Sequence, residues 1–173
     1  MSKSRFTTRQ LATAGIIAAV YAGLTLLLPI PQYGGVQLRV AEAMTVLLFL
    51  FPEAIPGLAV GCFLANLLGS PYVLDWVFGT LATLLAALCT RALANVRVGK
   101  GRWAVASALP PVIFNGLIIG AELCWCIMGQ WNWGVFIAQG VSVAAGEAVA
   151  CVLGVLLVHY VETTPRLLAI FRG

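Results

Sequence analysis

Charged residues are scarce in this chain of 173 residues, at 9% of the total, whereas soluble domains carry roughly 25%. Histidine occurs once, and the five cysteines lie in apolar runs, so we expect no zinc site and interpret the cysteines as small apolar residues. The sequence also lacks a Walker A pattern, a G-x-S-x-G elbow and an H-E-x-x-H motif. These absences argue against ATP hydrolysis by this chain and weaken the case for an intramembrane enzyme, and we expect no cofactor.

Apolar residues dominate instead, at 61% of the chain, which indicates an integral membrane protein. The first apolar run, 11–28, is too long for the core of a signal peptide, so we expect it to be a membrane helix. Runs of this length predict an all-α fold of six transmembrane helices in a single domain over residues 1–173. The predicted helices are 10–28, 37–51, 57–69, 75–93, 103–128 and 135–160.

The basic residues predict the topology. Nine of the ten lie near the N-terminus, in the segment 91–102 or in the C-terminal tail, and Lys and Arg flanking membrane helices stay in the cytoplasm. The apolar run 38–68 is interrupted by Pro52, Glu53 and Pro56, which favours two short helices over one span. Only the interpretation with two helices places residues 91–102 on the same side of the membrane as the N-terminus. We therefore expect a multi-pass protein of the cell membrane with both termini in the cytoplasm.

Polar side chains remain in or near the outer halves of the predicted helices. A charged side chain that faces lipid at the bilayer centre has an insertion free energy of about 2.5–3.5 kcal/mol. Glu122 and Glu147 are therefore predicted to face the bundle interior. From four helices the charged groups can converge on one cavity. One cation faces four acids there, which favours a ligand that is cationic or rich in N–H donors. The set comprises Arg39, Glu42, Asn66, Asp75, Asn115, Glu122, Gln139 and Glu147.

Two features of this outer end have a simpler interpretation. Arg39 and Glu42 are three residues apart, so they share a helix face and can simply pair with each other. The outer aromatic residues are typical of an interfacial belt. A ligand-binding alternative is that some of them stack on a flat ring as a lid. The tryptophans concerned are Trp76, Trp125, Trp131 and Trp133.

Small residues mark the surfaces where membrane helices pack closely. Ala14, Ala18 and Ala22 recur at spacings of four on the first helix, beside Gly15, Ala19 and Gly23. That face is wide enough for an internal neighbour and for another protein. Gly57, Gly61, Ala65 and Gly69 on the third helix are expected to pack internally.

Several runs together resemble one family. They are Leu38-Arg39-Val40-Ala41-Glu42-Ala43, Phe51-Pro52-Glu53-Ala54-Ile55-Pro56-Gly57, Ala65-Asn66-Leu67-Leu68, the run Asp75 to Thr83, Phe114-Asn115-Gly116 and Gly146-Glu147. Taken together they resemble the QueT family of S components, the substrate-binding subunits of energy-coupling factor (ECF) transporters. The basic loop and the segment Trp131-Asn132-Trp133 match least well.

The resemblance implies uptake of a queuosine precursor, a 7-deazaguanine such as the 7-aminomethyl form, or queuine. It also implies partners: a membrane coupling protein and two ATPase subunits. In such transporters the alanine face of the first helix, here Ala14, Ala18 and Ala22, contacts the coupling protein. The S component is thought to topple in the membrane to deliver its ligand.

Three other readings stay open from the residues. They are an S component for a different vitamin, an intramembrane enzyme that uses the outer carboxylates as acid and base, and a structural membrane subunit. The energetic cost of the buried acids argues against the last of these. A carboxylate such as Glu122 or Glu147 can accept two N–H groups from one edge of a deazaguanine. The sequence leaves open which acid takes which edge.

Overall fold

The computed structural model describes residues 7–49, 54–95 and 102–165, and within these ranges every regular element is helical. The predicted turn at Pro52 and Glu53 lies outside the described residues. So do the basic residues Lys3, Arg5, Arg97, Lys100, Arg166 and Arg172. The α-helices are α1 (Thr8–Leu27), α2 (Ala43–Val46), α3 (Ala54–Gly69), α4 (Asp75–Asn95), α5 (Arg102–Ser107), α6 (Leu109–Met128) and α7 (Trp133–Thr163).

The long helices begin at capping residues. At α1, the Thr7 hydroxyl accepts from the backbone N–H of Gln10, and the Gln10 side chain accepts from the N–H of Thr7, which is a capping box. At α7, the Asn132 side chain accepts from the N–H of Val135. α6 ends at Gly129, whose φ of 64° is left-handed. α1 and α7 match the predicted bounds to within a few residues.

The second predicted helix differs from the prediction over 37–51. A 3-10 turn at Val40–Glu42, the single α-turn of α2 and a second 3-10 turn at Leu47–Phe49 follow one another. Residues 37–39 are not helical. This broken segment contacts α1, α4 and α7, and most of its side chains are buried on every side, as expected of an interior segment.

The fifth predicted helix is divided at Ala108 into α5 and α6. Pro110 and Pro111 have no backbone N–H, so they cannot donate the helical bonds that would continue α5. The carbonyl of Ser107, which an N–H at residue 111 would have bonded, accepts instead from the Thr90 hydroxyl at 3.0 Å. A hydroxyl on α4 thus stabilises the break.

The exterior of the bundle is apolar and its interior contains polar side chains. Four described segments are long and apolar enough to cross a membrane, namely Thr8–Leu27, Asp75–Leu93, Val105–Met128 and Trp133–Thr163; α3 is apolar but shorter, at 16 residues. Leu27 is 83% exposed and Leu68 is 70% exposed, whereas Arg39 and Glu42 are at most 1% exposed. Because lipid replaces water around such a surface, this inversion is typical of a membrane protein.

Helix directions follow from close backbone contacts. A Cβ atom on Gly57 would lie 2.6 Å from the Ala14 carbonyl oxygen, and one on Gly61 would lie 2.8 Å from that of Ala18, so α1 and α3 are parallel. The predicted internal packing of the glycines of α3 is therefore confirmed. Contacts between Cys62 and Thr83 make α4 antiparallel to α3.

The remaining helices alternate in the same way. The Thr90–Ser107 contact places the start of α6 beside the end of α4, and α7 runs back along α6. Neighbouring pairs are α1 with α3, α3 with α4, α4 with α6, and α6 with α7. The start of α1 and the end of α7 therefore lie at the same end of the bundle.

Candidate ligand-binding site

Arg39 is the buried cation at the centre of the polar interior. Its Nη2 lies 3.7 Å from Oδ2 of Asp75, and its Nε donates to the Gln32 carbonyl oxygen at 3.0 Å. The guanidinium carbon lies 5.1 Å from the centre of the Tyr33 ring, within range of a cation–π interaction. The ion pair of Arg39 therefore forms with Asp75, and not with Glu42, which was the simpler alternative left open by the sequence. Arg39 precedes the first 3-10 turn, so helical spacing does not govern where its side chain points.

Asp75 opens α4, where a carboxylate interacts favourably with the helix dipole. The Ser70 hydroxyl donates to its Oδ2. The Asn66 side chain donates to the Asp75 backbone oxygen at 2.9 Å and approaches the Cys62 sulfur at 3.5 Å. The turn between α3 and α4 thereby holds Asp75 against Arg39.

Glu42 is held by three hydroxyl groups from three parts of the fold. Tyr21 on α1 and Thr83 on α4 both donate to its Oε1, the latter at 2.7 Å. Thr45 on α2 donates to Oε2 at 2.8 Å. These three partners are not evident from the sequence, because a hydroxyl inside an apolar run adds little to hydropathy. Both carboxylate oxygens of Glu42 are thus already engaged within the protein.

Glu122 and Glu147 are buried, at 4% and 3% exposure, which confirms that they do not face lipid. Glu122 on α6 lies close enough to Asp75 and Arg39 to interact with both electrostatically. Glu147 on α7 interacts in the same way with Glu42 and Arg39. Arg39 therefore lies within electrostatic range of all four carboxylates, and full ionisation would leave an excess of negative charge around it.

Many buried polar atoms of this region have no hydrogen-bond partner among the described residues. Asn115 is an example: its Nδ2 donates to the Pro111 carbonyl oxygen at 3.1 Å, while its Oδ1 makes no hydrogen bond. Buried groups in native proteins are nearly always paired, so such atoms call for a ligand or water. The acceptors are Gln32 Oε1, Asn66 Oδ1, Asp75 Oδ1, Asn115 Oδ1, both oxygens of Glu122, Gln139 Oε1 and Glu147 Oε2; the donors are Gln32 Nε2, Gln37 Nε2, Arg39 Nη2 and Trp76 Nε1.

The connection between α1 and the 3-10 turn, residues 28–39, packs against α3 and α7. The Tyr33 hydroxyl donates to the Ala65 carbonyl oxygen at 2.6 Å. Burial raises the pKa of Tyr33 to about 12, so this donor keeps its proton at neutral pH. Gly35 lies against the Gln139 side chain, and Gly146 lies against the backbone of Gln37. This connection therefore joins the elements that carry Arg39, Asn66 and Glu147.

The tryptophans do not gather around the buried carboxylates. Trp131 and Trp133 contact each other edge to face, with ring centres 5.2 Å apart, and Trp131 also packs on Phe136 at 4.9 Å. Trp125 is 55% exposed and Trp133 is 68% exposed. The Cys124 sulfur contacts the backbone of Asn132 and so holds this loop to α6. Among the tryptophans whose side chains are described, Trp76, next to Asp75, is the one that contributes a buried donor without a hydrogen-bond partner.

The small-residue face of α1 divides into an inner and an outer part. Ala18 is buried, and the carbonyls of Ala14 and Ala18 pack on the glycines of α3. Ala22 packs against the same core. By contrast, nothing lies within 4 Å of a Cβ atom added at Gly15 or Gly23. The predicted partner residues Ala14, Ala18 and Ala22 thus lie on the side that faces α3.

An apolar exterior around this charged interior defines a multi-pass membrane protein with a polar site inside its helix bundle. Comparison with known families identifies the family to which this membrane protein belongs. Residues 11–163 match the QueT transporter family, so the chain belongs to that family.

One curated relative is the queuosine precursor transporter QueT of Lactococcus lactis subsp. cremoris (strain MG1363). It is 34% identical over 87 residues, which span 49% of this chain and 50% of the relative. The chain is therefore matched over about half the length of that relative. No solved structure matches the chain.

Proposed function

We propose that this protein is the substrate-binding S component of an ECF importer and that it binds a queuosine precursor within its polar interior. The precursor is a 7-deazaguanine, such as the 7-aminomethyl form, or queuine. The family membership, the name of the Lactococcus relative and the nearly chain-long resemblance of the sequence runs support this substrate. The binding site is formed by the residues around Arg39, Asp75, Glu122 and Glu147.

The observation that carries the proposal is the set of twelve buried polar atoms without a hydrogen-bond partner among the described residues. Each such atom costs about 1–3 kcal/mol. Together they would exceed the whole stability of a typical protein, about 5–15 kcal/mol. Something must supply partners for them, and a bound polar ligand does so.

The chemistry of these atoms matches the proposed ligand class. Eight of the twelve are acceptors and four are donors, so the missing partner is rich in N–H groups. A deazaguanine presents two N–H groups and a carbonyl oxygen along one edge. An aminomethyl substituent adds a cation, which suits a region where four carboxylates surround Arg39.

The outer part of the α1 small-residue face is the proposed contact for the membrane coupling protein. Gly15 and Ala19 are exposed, and Gly23 is half-buried with open space beside it. Small residues allow close approach of another helix in lipid. The coupling protein and two ATPase subunits are proposed to supply the energy, and toppling of this subunit delivers the ligand inward. Both termini are proposed to be cytoplasmic.

A titration of purified protein tests the proposal. Isothermal calorimetry with 7-aminomethyl-7-deazaguanine and queuine should give saturable binding at micromolar concentration or tighter. Thiamine and riboflavin, which represent other vitamins, should give none. Mass spectrometry of small molecules released from the protein as purified should detect a deazaguanine. Binding of another vitamin instead, or recovery of a chemically altered ligand, would reject the proposed function.

A further inference from the structure

The register between α6 and α7 fixes the relative depth of Glu122 and Glu147. A Cβ atom on Gly116 would lie 3.0 Å from that of Ala144, and one on Gly120 would lie 2.6 Å from the Cα of Gly140. These close contacts make the two helices antiparallel neighbours along a glycine seam. The same register continued up α6 places Glu122 opposite α7 at about Ala138.

Glu147 therefore lies about nine residues further along α7 than the point opposite Glu122. At a rise of about 1.5 Å per residue, the separation along the bundle axis is roughly 14 Å. Side chains lean toward the N-terminus of their own helix, and these helices are antiparallel, so the two carboxylates lean toward each other. A ligand can therefore lie between the two carboxylates. Because a hydrogen bond spans about 3 Å, the N–H groups along one edge of the ligand cannot bond both carboxylates.

The Glu122 end suits the edge of a guanine-like ring. Glu122 interacts with the Asp75 side chain, and its oxygens have no other hydrogen-bond partner among the described residues, so this carboxylate can accept two adjacent N–H groups of a ligand. Arg39, within electrostatic range of Glu122, carries an Nη2 without a hydrogen-bond acceptor. It can donate to the carbonyl oxygen that adjoins those N–H groups.

The Glu147 end offers two unpartnered acceptors. Glu42, its neighbour, is already saturated by three hydroxyls, whereas Oε2 of Glu147 has no partner among the described residues. The glycine seam places Asn115 opposite residues within about one turn of Glu147. Its Oδ1 is likewise unpartnered. Two such acceptors suit an ammonium group, which has donors only.

We propose that the ligand lies lengthwise between the two glutamates. Glu122 with Arg39 binds the N–H and carbonyl edge of the deazaguanine ring, and Glu147 with Asn115 binds the ammonium of its 7-aminomethyl substituent. Glu147 is then a specificity-determining residue that selects the cationic ligand over an uncharged one. This assignment rests on the proposed function, and it specifies which acid takes which end.

Two ligands and two isosteric variants test the orientation in the full-length purified protein. The ligands are 7-aminomethyl-7-deazaguanine and 7-deazaguanine, which lacks the substituent. Glu147→Gln should weaken binding of the aminomethyl ligand about tenfold or more and leave that of 7-deazaguanine within about threefold. Glu122→Gln, the matched control, should weaken both ligands by similar factors. Circular dichroism melting establishes that each variant is folded.

A third variant keeps the test decisive if Glu147→Gln does not fold. Asn115→Asp adds a carboxylate at the same end, so the ratio of aminomethyl to unsubstituted affinity should rise. The orientation is overturned if Glu147→Gln weakens both ligands equally, if it spares the aminomethyl ligand, or if Asn115→Asp leaves the ratio unchanged. Failure of the wild-type protein to bind either deazaguanine overturns the proposed function itself and is a separate outcome.

Discussion

The hydroxyl of Tyr21 on α1 donates a hydrogen bond to the carboxylate of Glu42, and both side chains are fully buried. Thr83 on α4 donates to the same oxygen. One carboxylate thus joins the first helix, the broken interior segment and α4. It does so beside Arg39 and Glu147, so the packing of α1 and the geometry of the candidate site depend on the same group.

Tyr21→Phe is predicted to destabilise the protein. Removing the hydroxyl leaves Glu42 with one donor fewer in a buried setting, and such a loss costs about 1–3 kcal/mol. Unfolding in mixed detergent micelles, followed by circular dichroism, measures the change in free energy. Tyr160→Phe is the control, because Tyr160 is 60% exposed, and its effect should be near zero. Equal stability of Tyr21→Phe and the wild type would show that the hydrogen bond contributes nothing.

Breaking the ion pair of Arg39 with Asp75 should have a larger effect. Arg39→Gln leaves buried carboxylates without their cation, and removing one partner of a buried pair typically costs about 3–5 kcal/mol. Adding Asp75→Asn should restore part of that loss, giving a coupling energy of about 0.5–3 kcal/mol in a double-mutant cycle. The same unfolding assay measures all four proteins. Strict additivity of the two substitutions would contradict the observed pairing.

The close contact between α6 and α7 at Gly120 and the open space beside Gly15 on α1 predict opposite outcomes for alanine substitutions. A Cβ atom on Gly120 would lie 2.6 Å from backbone of Gly140, so Gly120→Ala should force the helices apart and cost about 1–3 kcal/mol. Gly15→Ala meets nothing within 4 Å and should be neutral or stabilise α1 by up to about 1 kcal/mol. Thermal unfolding of both variants tests the contrast. A Gly120→Ala protein as stable as Gly15→Ala would refute the close seam.

Long apolar runs and basic flanks were sufficient to predict most of the fold. α1, α4 and α7 lie where the hydropathy pattern placed them, because burial in lipid requires continuous apolar helices. The structure of the segment around Glu42 was harder to predict, since its apolar residues suit either a helix or an interior segment of short turns. Its shape depends on contacts with α1, α4 and α7, which local sequence does not report.

The burial of the acids was predictable from the sequence, but their pairings were not. The cost of burying Glu122 and Glu147 identified them as interior groups. The partner of Arg39 could not be found from helical spacing, because Asp75 is distant in sequence and Arg39 is not in a helix. The two small-residue faces of α1 were likewise indistinguishable until Gly57 and Gly61 showed which one packs internally.

That division of α1 yields a prediction about assembly. Ala19→Trp, on the exposed part of the face, should abolish copurification with the coupling protein while ligand affinity and melting temperature stay near those of the wild type. Ala18→Trp should instead destabilise the isolated subunit, because Ala18 is buried against α3. Val149→Trp on α7, at a position 53% exposed, is the control and should retain assembly. Intact assembly of Ala19→Trp would place the contact elsewhere.

The connection over residues 28–39 depends on close contact with α7 at Gly146. A Cβ atom there would overlap the Gln37 carbonyl oxygen, and backbone cannot yield as a flexible side chain does. Gly146→Ala should therefore displace the segment that carries Arg39 and weaken ligand binding about tenfold or more, with a loss of stability of about 1–3 kcal/mol. Calorimetric titration with 7-aminomethyl-7-deazaguanine measures the first effect, and detergent unfolding the second. Gly23→Ala, which meets open space, is the matched control. Wild-type affinity in Gly146→Ala would mean that this connection does not position the site, because the substitution cannot be accommodated without moving Gln37.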